Sequence, residues 1–273
     1  MTGPAPVSLQ TFEAGVGSPE LVTYIQALEA FDAIPQLREL KAIEGQRAGY
    51  STGMAVADIG CGFGLETLRL AVRVGPAGRA AGVDISPAFL AEARRRAAAA
   101  GVAIDVHEGR AEALPLANAS FDAVRAERLL IYLARPEAAL AEMRRIARPG
   151  AALALIEPDL GTTTVNLPDR GLVRRVMGHE ADSSVAQGWL PGRLPPMLAA
   201  AGFSGQQLAT RVLVFPVPLA LAYLGQCGRS AARAGAITDG ELAGWLSGLD
   251  ALATRGELFA TVGYFLFTAR AGG

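Results

Sequence analysis

The sequence predicts an α/β fold, a doubly wound parallel sheet with helices on both faces, and three observations carry that prediction. From about residue 51 to 157, apolar segments of strand length alternate with amphipathic segments of helix length, and strands separated by helices favour parallel pairing. A glycine-rich turn, Gly60-Cys61-Gly62-Phe63-Gly64, joins the first strand to the helix that follows it. Two of the strands end in an acid, Asp58 and Asp84, and their separation of 26 residues leaves room for one intervening helix.

Residues 1–17 carry Gly, Pro, Ser and Thr without periodicity and are expected to be loose. Ser18-Pro19-Glu20 reads as a helix start, followed by apolar Leu21, Ile25, Leu28 and Phe31 at helical spacing. A second helix is expected from Pro35 to Ala48. The alternation then predicts strand 54–58, helix 65–73, strand 79–84, helix 87–100, strand 103–107, strand 121–126, helix 136–147 and strand 151–157. Ser86 before Pro87 is a good N-cap with proline at the first helical position, and Arg148-Pro149-Gly150 stops the helix before the last of these strands. Beyond Glu157 the regularity breaks down, with a helix expected over 169–183 and a short one over 193–201. Strand-like segments 207–215 and 261–269 bracket a helical excursion, about 218–256. The expected organisation is an N-terminal helical cap, 1–50, and one domain, 51–273, carrying that excursion as an insertion.

The glycine turn is the most informative stretch. Glycines at alternate positions let the backbone turn tightly and approach a ligand where a Cβ would collide, and the helix behind them presents its positive end to the turn. A dinucleotide loop would read G-x-G-x-x-G; here the third glycine arrives one residue early, with Leu65 in the expected place. That disfavours an NAD-type oxidoreductase. Asp84 ends the second strand, where an acid in nucleotide-binding sheets accepts hydrogen bonds from ribose hydroxyls. Two further segments follow, Glu108-Gly109-Arg110-Ala111-Glu112-Ala113-Leu114-Pro115 and Ser120-Phe121-Asp122-Ala123-Val124-Arg125-Ala126-Glu127.

Together the four segments resemble class I S-adenosylmethionine (SAM) dependent methyltransferases, in particular the ubiquinone/menaquinone C-methyltransferase-like branch. The resemblance implies a seven-stranded Rossmann-like sheet whose last strand is antiparallel. It implies SAM as cofactor, with S-adenosylhomocysteine as product. Asp58 would orient the methionine ammonium, and the backbone at Gly60, Cys61, Gly62 and Gly64 would contact the methionine portion. Asp84 would bind the ribose, and Ile85 would lie against the adenine. Ala111 would donate its backbone N–H to the ring, with Glu112 beside it. The family commonly carries aspartate where this chain has Arg110, and a guanidinium has donors only, so Arg110 is expected to turn outward or stack beside the adenine. Glu127 and Arg128 would shape the cofactor floor, with Arg128 able to face the methionine carboxylate.

Methyl transfer from a sulfonium is an in-line displacement that depends chiefly on alignment with an electron-rich acceptor. A carbon acceptor needs a base as well, for which Tyr132, Glu157, Asp159 and His179 are the candidates; Tyr132, Glu157 and His179 are taken as the catalytic set. Phe12, Tyr24, Trp189, Tyr223, Tyr264 and Phe265 are candidate walls for an acceptor pocket.

With 25 basic and 26 acidic side chains, charge gives no reason to expect nucleic acid or a membrane surface. Cys61 and Cys227 make neither a disulfide framework nor a metal cluster, and no apolar run is long enough to span a bilayer. A cytoplasmic location is the default. Amino-methylation of nucleobases and cytosine C5 methylation are excluded because the strand tip reads Ala126-Glu127-Arg128-Leu129 and a Pro-Cys nucleophile is missing; arsenite methylation would need more cysteines. The expected function is SAM-dependent methyl transfer to a small, fairly apolar acceptor in quinone, lipid or secondary metabolism. The alternative is a SAM-binding cyclase or decarboxylase of the same fold, using the cofactor's charge electrostatically.

Overall fold

The computed structural model describes residues 19–273, so the segment 1–17 and the pocket candidate Phe12 lie outside the described residues. Two helices, α1 (Pro19–Asp32) and α2 (Pro35–Ala48), precede the sheet. They are followed by β1 (Ala55–Ile59), α3 (Leu65–Val74), β2 (Arg79–Asp84), α4 (Pro87–Ala100), β3 (Asp105–Glu108), β4 (Phe121–Glu127), α5 (Pro136–Ile146) and β5 (Ala147–Val165). The remaining elements are α6 (Arg170–His179), α7 (Leu194–Ala200), β6 (Phe203–Val214), α8 (Val217–Arg233), α9 (Asp239–Thr254) and β7 (Ala260–Ala271).

The seven strands form one sheet in the order β3-β2-β1-β4-β5-β7-β6. Pairing is parallel from β3 to β5, and β7 runs antiparallel to both β5 and β6. The chain order reverses between β1 and β4, so a crevice opens at the carboxyl ends of β1, β2 and β4, where open α/β sheets bind ligands. Local chemistry places the boundaries. Ser86 caps α4 by accepting from the Phe89 N–H at 3.3 Å, and Gly101 closes that helix in the left-handed conformation. A reciprocal capping box, Thr238 with Glu241, starts α9.

Alternation along β5 divides the core. Leu153 and Leu155 face α5 and α7, whereas Ala154 and Ile156 face the layer that contains Leu40 of α2, Leu224 of α8 and Trp245 of α9. Period-two side-chain direction in a strand buried on both faces produces this division. Trp245 is fully buried and donates its Nε1–H to the Leu224 carbonyl at 2.8 Å.

Two expectations need correction. The fifth strand does not stop at Glu157 but runs on to Val165, paired with β7 as far as Ala260 and interrupted between Asp159 and Thr164. Its pairing with β4 ends at Ile156, so Pro158 sits where β5 has a single neighbour, a setting that tolerates a strand proline. The helix expected over 169–183 is α6 followed by a π-helical turn, Glu180–Ser184. That turn carries the chain to Trp189, whose ring fills the place of a Cβ at Gly161, at 1.9 Å.

Candidate functional site

The loop after β1 has Gly60, Gly62 and Gly64 all at positive φ, +73°, +53° and +79°. A Cβ on Gly60 would meet Leu129 at 3.0 Å and one on Gly64 would meet Ala93 at 2.8 Å, but a Cβ on Gly62 would meet nothing within 4 Å. Two glycines are thus required by packing, while the third borders open space. Asp84 ties this loop to β2. Its Oδ2 accepts from the Gly62 N–H at 2.8 Å and its Oδ1 from the Ser86 N–H at 2.9 Å. Burial pushes the Asp84 carboxyl above its ordinary pKa, and these backbone donors oppose the shift. Ile85 is 61% exposed beside it.

The Cys61 side chain points inward, so only its backbone belongs to the loop surface. A Cβ on Gly82 would lie 2.7 Å from Cys61 Sγ, which explains the glycine in the middle of β2. Ala111 is buried. Arg110 turns outward, its side chain 63% exposed, with Nη2 3.5 Å from Oε1 of the largely buried Glu112.

Beneath the loop lies a cluster of charges of which sequence reasoning named Asp58 and Glu127 but missed Lys41, Glu44 and Arg125. Asp58 is buried, and its oxygens accept from Arg125 Nη1 and Thr67 Oγ1, both at 2.8 Å. Asp58 thus has partners inside the protein and supports the loop from below. Arg125, on β4, also donates to Glu44 Oε1 at 2.7 Å and to Glu127 Oε2 at 3.0 Å. Glu127 is shared in turn with Lys41 of α2 at 2.9 Å, and Lys41 reaches Asp32 at 2.5 Å and Glu66 at 2.8 Å. Burial alone would raise the Glu127 pKa, but Lys41, Arg125 and Arg128 outweigh it and hold the carboxylate ionised. The sequence carried only a faint signal, an arginine amid the apolar residues of β4.

Arg128 follows in a left-handed conformation, φ +50°, fixed by its N–H bond to the Ile156 carbonyl at 2.9 Å. Its guanidinium carbon lies 4.6 Å from the centre of the Phe31 ring, a cation–π arrangement. Tyr24, Tyr132 and Tyr264 all feel its charge; burial raises each phenol pKa and Arg128 opposes the rise. Helix α1 spans this region. Near its middle Tyr24 stacks on Phe89 at 5.9 Å, and near its C-terminal end Phe31 meets Tyr264 at 5.6 Å and Phe215 at 6.2 Å.

The three catalytic candidates separate. Tyr132 is half-buried in the short 3-10 turn Leu130–Tyr132, beside the tyrosine and Arg128 cluster. Glu157 is fully enclosed, and its Oε1 accepts from the Leu129 N–H at 3.1 Å and the Leu130 N–H at 2.8 Å. Burial pushes its pKa up to about 7 against those backbone donors. Glu157 thus braces the turn from within. His179 Nε2 lies 3.2 Å from Ser230 Oγ on α8, and among the described residues no hydrogen bond or ion pair joins it to Tyr132 or Glu157. Asp159 accepts from the Gly161 N–H at 3.0 Å and so closes its own turn. Of the other aromatic candidates, Tyr223 packs on Phe215 at 5.4 Å, Phe265 is half-buried against the core, and Trp189 is 51% exposed, donating to Asp182 at 2.7 Å.

Comparison with known proteins agrees with this geometry. A family model described as a methyltransferase domain matches residues 56–150. An uncharacterized 37.1 kDa protein in transposon TN4556 of Streptomyces fradiae is 35% identical over 200 residues, 73% of this chain and 56% of that protein. The demethylmenaquinone methyltransferase of Thermus thermophilus is 33% identical over 163 residues, 55% of this chain and 74% of the relative. The chain belongs to the class I SAM-dependent methyltransferase family. It spans about half the length of the first curated relatives it matches. In fold, this methyltransferase-family chain is similar to the crystal structure of the [4+2]-cyclase SpnF, with a TM-score of 0.53 and 23% identity over 86% of this chain and 80% of that one.

The family's cofactor is SAM, and the residues present fit it. The open space beside Gly62, the Asp84 carboxylate with lone pairs remaining on both oxygens, and the exposed apolar Ile85 lie in sequence along one edge of the crevice. Among the described residues no cluster of His, Cys, Asp and Glu could hold a metal ion, and no helix is long and apolar enough to cross a membrane.

Proposed function

We propose that this chain transfers the SAM methyl group to a small, fairly apolar acceptor of quinone, lipid or secondary-metabolite type. The observation that carries the reading is the aromatic cluster of Tyr24, Phe31, Tyr132 and Tyr264 around Arg128 at the carboxyl end of β4, joined to the glycine loop through the ring contacts Tyr24–Phe89 and Phe89–Phe63. SAM, when bound, supplies an electrophilic methyl on a sulfonium. The loop Gly60–Gly64 receives the methionine portion, Asp84 accepts from the ribose hydroxyls, and Ile85 and the Ala111 N–H address the adenine, with Arg110 and Glu112 at the rim. Asp58 and Glu127 hold this floor through Arg125 and Lys41. In this reading Tyr132 orients the acceptor, and Glu157 keeps its turn in place.

Helix α1 and the insertion formed by α8 and α9 cover the aromatic cluster in this reading, excluding water and shaping the acceptor pocket. Phe31 and Tyr223, one from each, meet Phe215 at the end of β6. Incubation with SAM labelled on its methyl group and a panel of phenols, amines and prenylated compounds tests the proposal. Labelled product supports transfer. Conversion of a substrate without label uptake would favour the cyclase or decarboxylase reading, and failure to bind SAM would end both.

A further inference from the structure

Arg128 is out of the ordinary in three independent respects. A non-glycine residue in the left-handed region is uncommon and marks a conformation maintained by its surroundings. Its Nε is buried without a hydrogen-bond partner among the described residues, its nearest carboxylate oxygen being Glu127 Oε1 at 3.6 Å. That carboxylate is already engaged at shorter range, through Oε2, by Lys41 and Arg125. The side chain as a whole nevertheless stays 24% exposed, with its guanidinium over the Phe31 ring.

The surroundings of Arg128 reach both sides of β4. Tyr24 feels Asp84 as well as Arg128, and the neighbouring Leu129 would meet a Cβ on Gly60. The guanidinium itself, however, lies over Phe31, which packs against Tyr264 on β7, beyond β5. A planar guanidinium with a buried, unbonded Nε among the described residues, lying over an aromatic ring, matches a carboxylate carried on a flat apolar body. We infer that Arg128 anchors the acceptor through a carboxylate, so that the substrate class is an aromatic or conjugated acid. This rests on the proposed methyl-transfer site and narrows it.

Calorimetry on the full chain saturated with S-adenosylhomocysteine tests the assignment, using 4-hydroxybenzoate and cinnamate against their carboxamides. The expected result is at least a tenfold preference for acid over amide in one of the pairs. Arg128→Met should abolish that preference and Arg128→Lys should keep part of it, while the SAM Kd of both variants stays within about twofold of the parent. Unchanged SAM binding also reports that the variants fold. A tenfold loss of SAM affinity in Arg128→Met with the acid preference intact would give the guanidinium to the methionine carboxylate and overturn the inference. Equal binding of acid and amide in both pairs overturns it too. In either case SAM binding by the parent chain leaves the methyl-transfer reading standing, whereas no SAM binding at all defeats that reading first.

Discussion

Glu44 of α2 and Arg125 of β4, 81 residues apart in sequence, form a buried ion pair with Oε1 2.7 Å from Nε. Both side chains are almost fully enclosed, at 4% and 3% exposure, and Tyr50 donates a further hydrogen bond to the same Glu44 oxygen at 2.7 Å. The pair fastens the N-terminal helices to the floor of the site.

Removing its cation should be severe. Arg125→Met leaves Glu44, Asp58 and Glu127 buried without their shared partner, and orphaned buried charges of this kind cost about 3–5 kcal/mol. Urea unfolding should show a loss in that range. A loss below about 1 kcal/mol would mean that the three carboxylates find other partners. Glu44→Gln, which keeps a hydrogen-bond acceptor, should cost less.

Glu157 should make stability fall as pH rises. Its pKa is about 7 in the folded chain against 4.5 ordinarily, so between those values the folded chain retains a proton that the unfolded chain has released. Stability attributable to this group is full below about pH 4.5, declines through the window and levels off above 7, with a difference on the order of 3 kcal/mol. Glu157→Gln should remove that slope. Parallel pH profiles for the parent and the variant would contradict it.

The glycine loop yields a contrast between two alanine substitutions. Gly64→Ala forces a Cβ to 2.8 Å from Ala93 at φ +79°, so it should lower Tm and cost more than the roughly 1–2 kcal/mol of left-handed strain alone. Gly62→Ala meets no neighbour, so its folding cost should stay near that strain, while its new methyl intrudes where the methionine portion is proposed to lie. Thermal melts paired with SAM calorimetry separate the two effects.

Asp84→Ala should weaken SAM binding by about 1–3 kcal/mol, the range for hydrogen bonds to a charged acceptor. It also frees the Gly62 and Ser86 N–H groups that the carboxylate now receives. Unchanged affinity by calorimetry would remove Asp84 from the site.

Arg110→Asp should keep or improve SAM affinity, because the outward guanidinium contacts only Glu112 among the described residues. A tenfold loss, about 1.4 kcal/mol, would reveal a favourable contact made by Arg110.

The sheet from β1 to β4 was legible in the sequence because each turn carries its own local chemistry: glycines at 60, 62 and 64, the Ser86–Pro87 cap, and the glycine after α4. The extension of β5 was not, since Pro158 and Gly161 read as breakers and only pairing with β7, about a hundred residues later, holds that stretch as a strand. The same distance hid the charge cluster. Arg125 lies within a strand pattern and Lys41 and Glu44 within a helix pattern, and nothing local joins them. Asp58 and Glu157 stand out in the sequence as acids at strand ends, while their burial and their partners on other elements are tertiary properties that no local pattern carries.

Helix α1 touches Phe89 beside the glycine loop through Tyr24, and Tyr264 through Phe31. These contacts lie two helical turns apart on one helix of 14 residues. One helix therefore borders both the cofactor side and the proposed acceptor side of the site, and a displacement of it would disturb the two together.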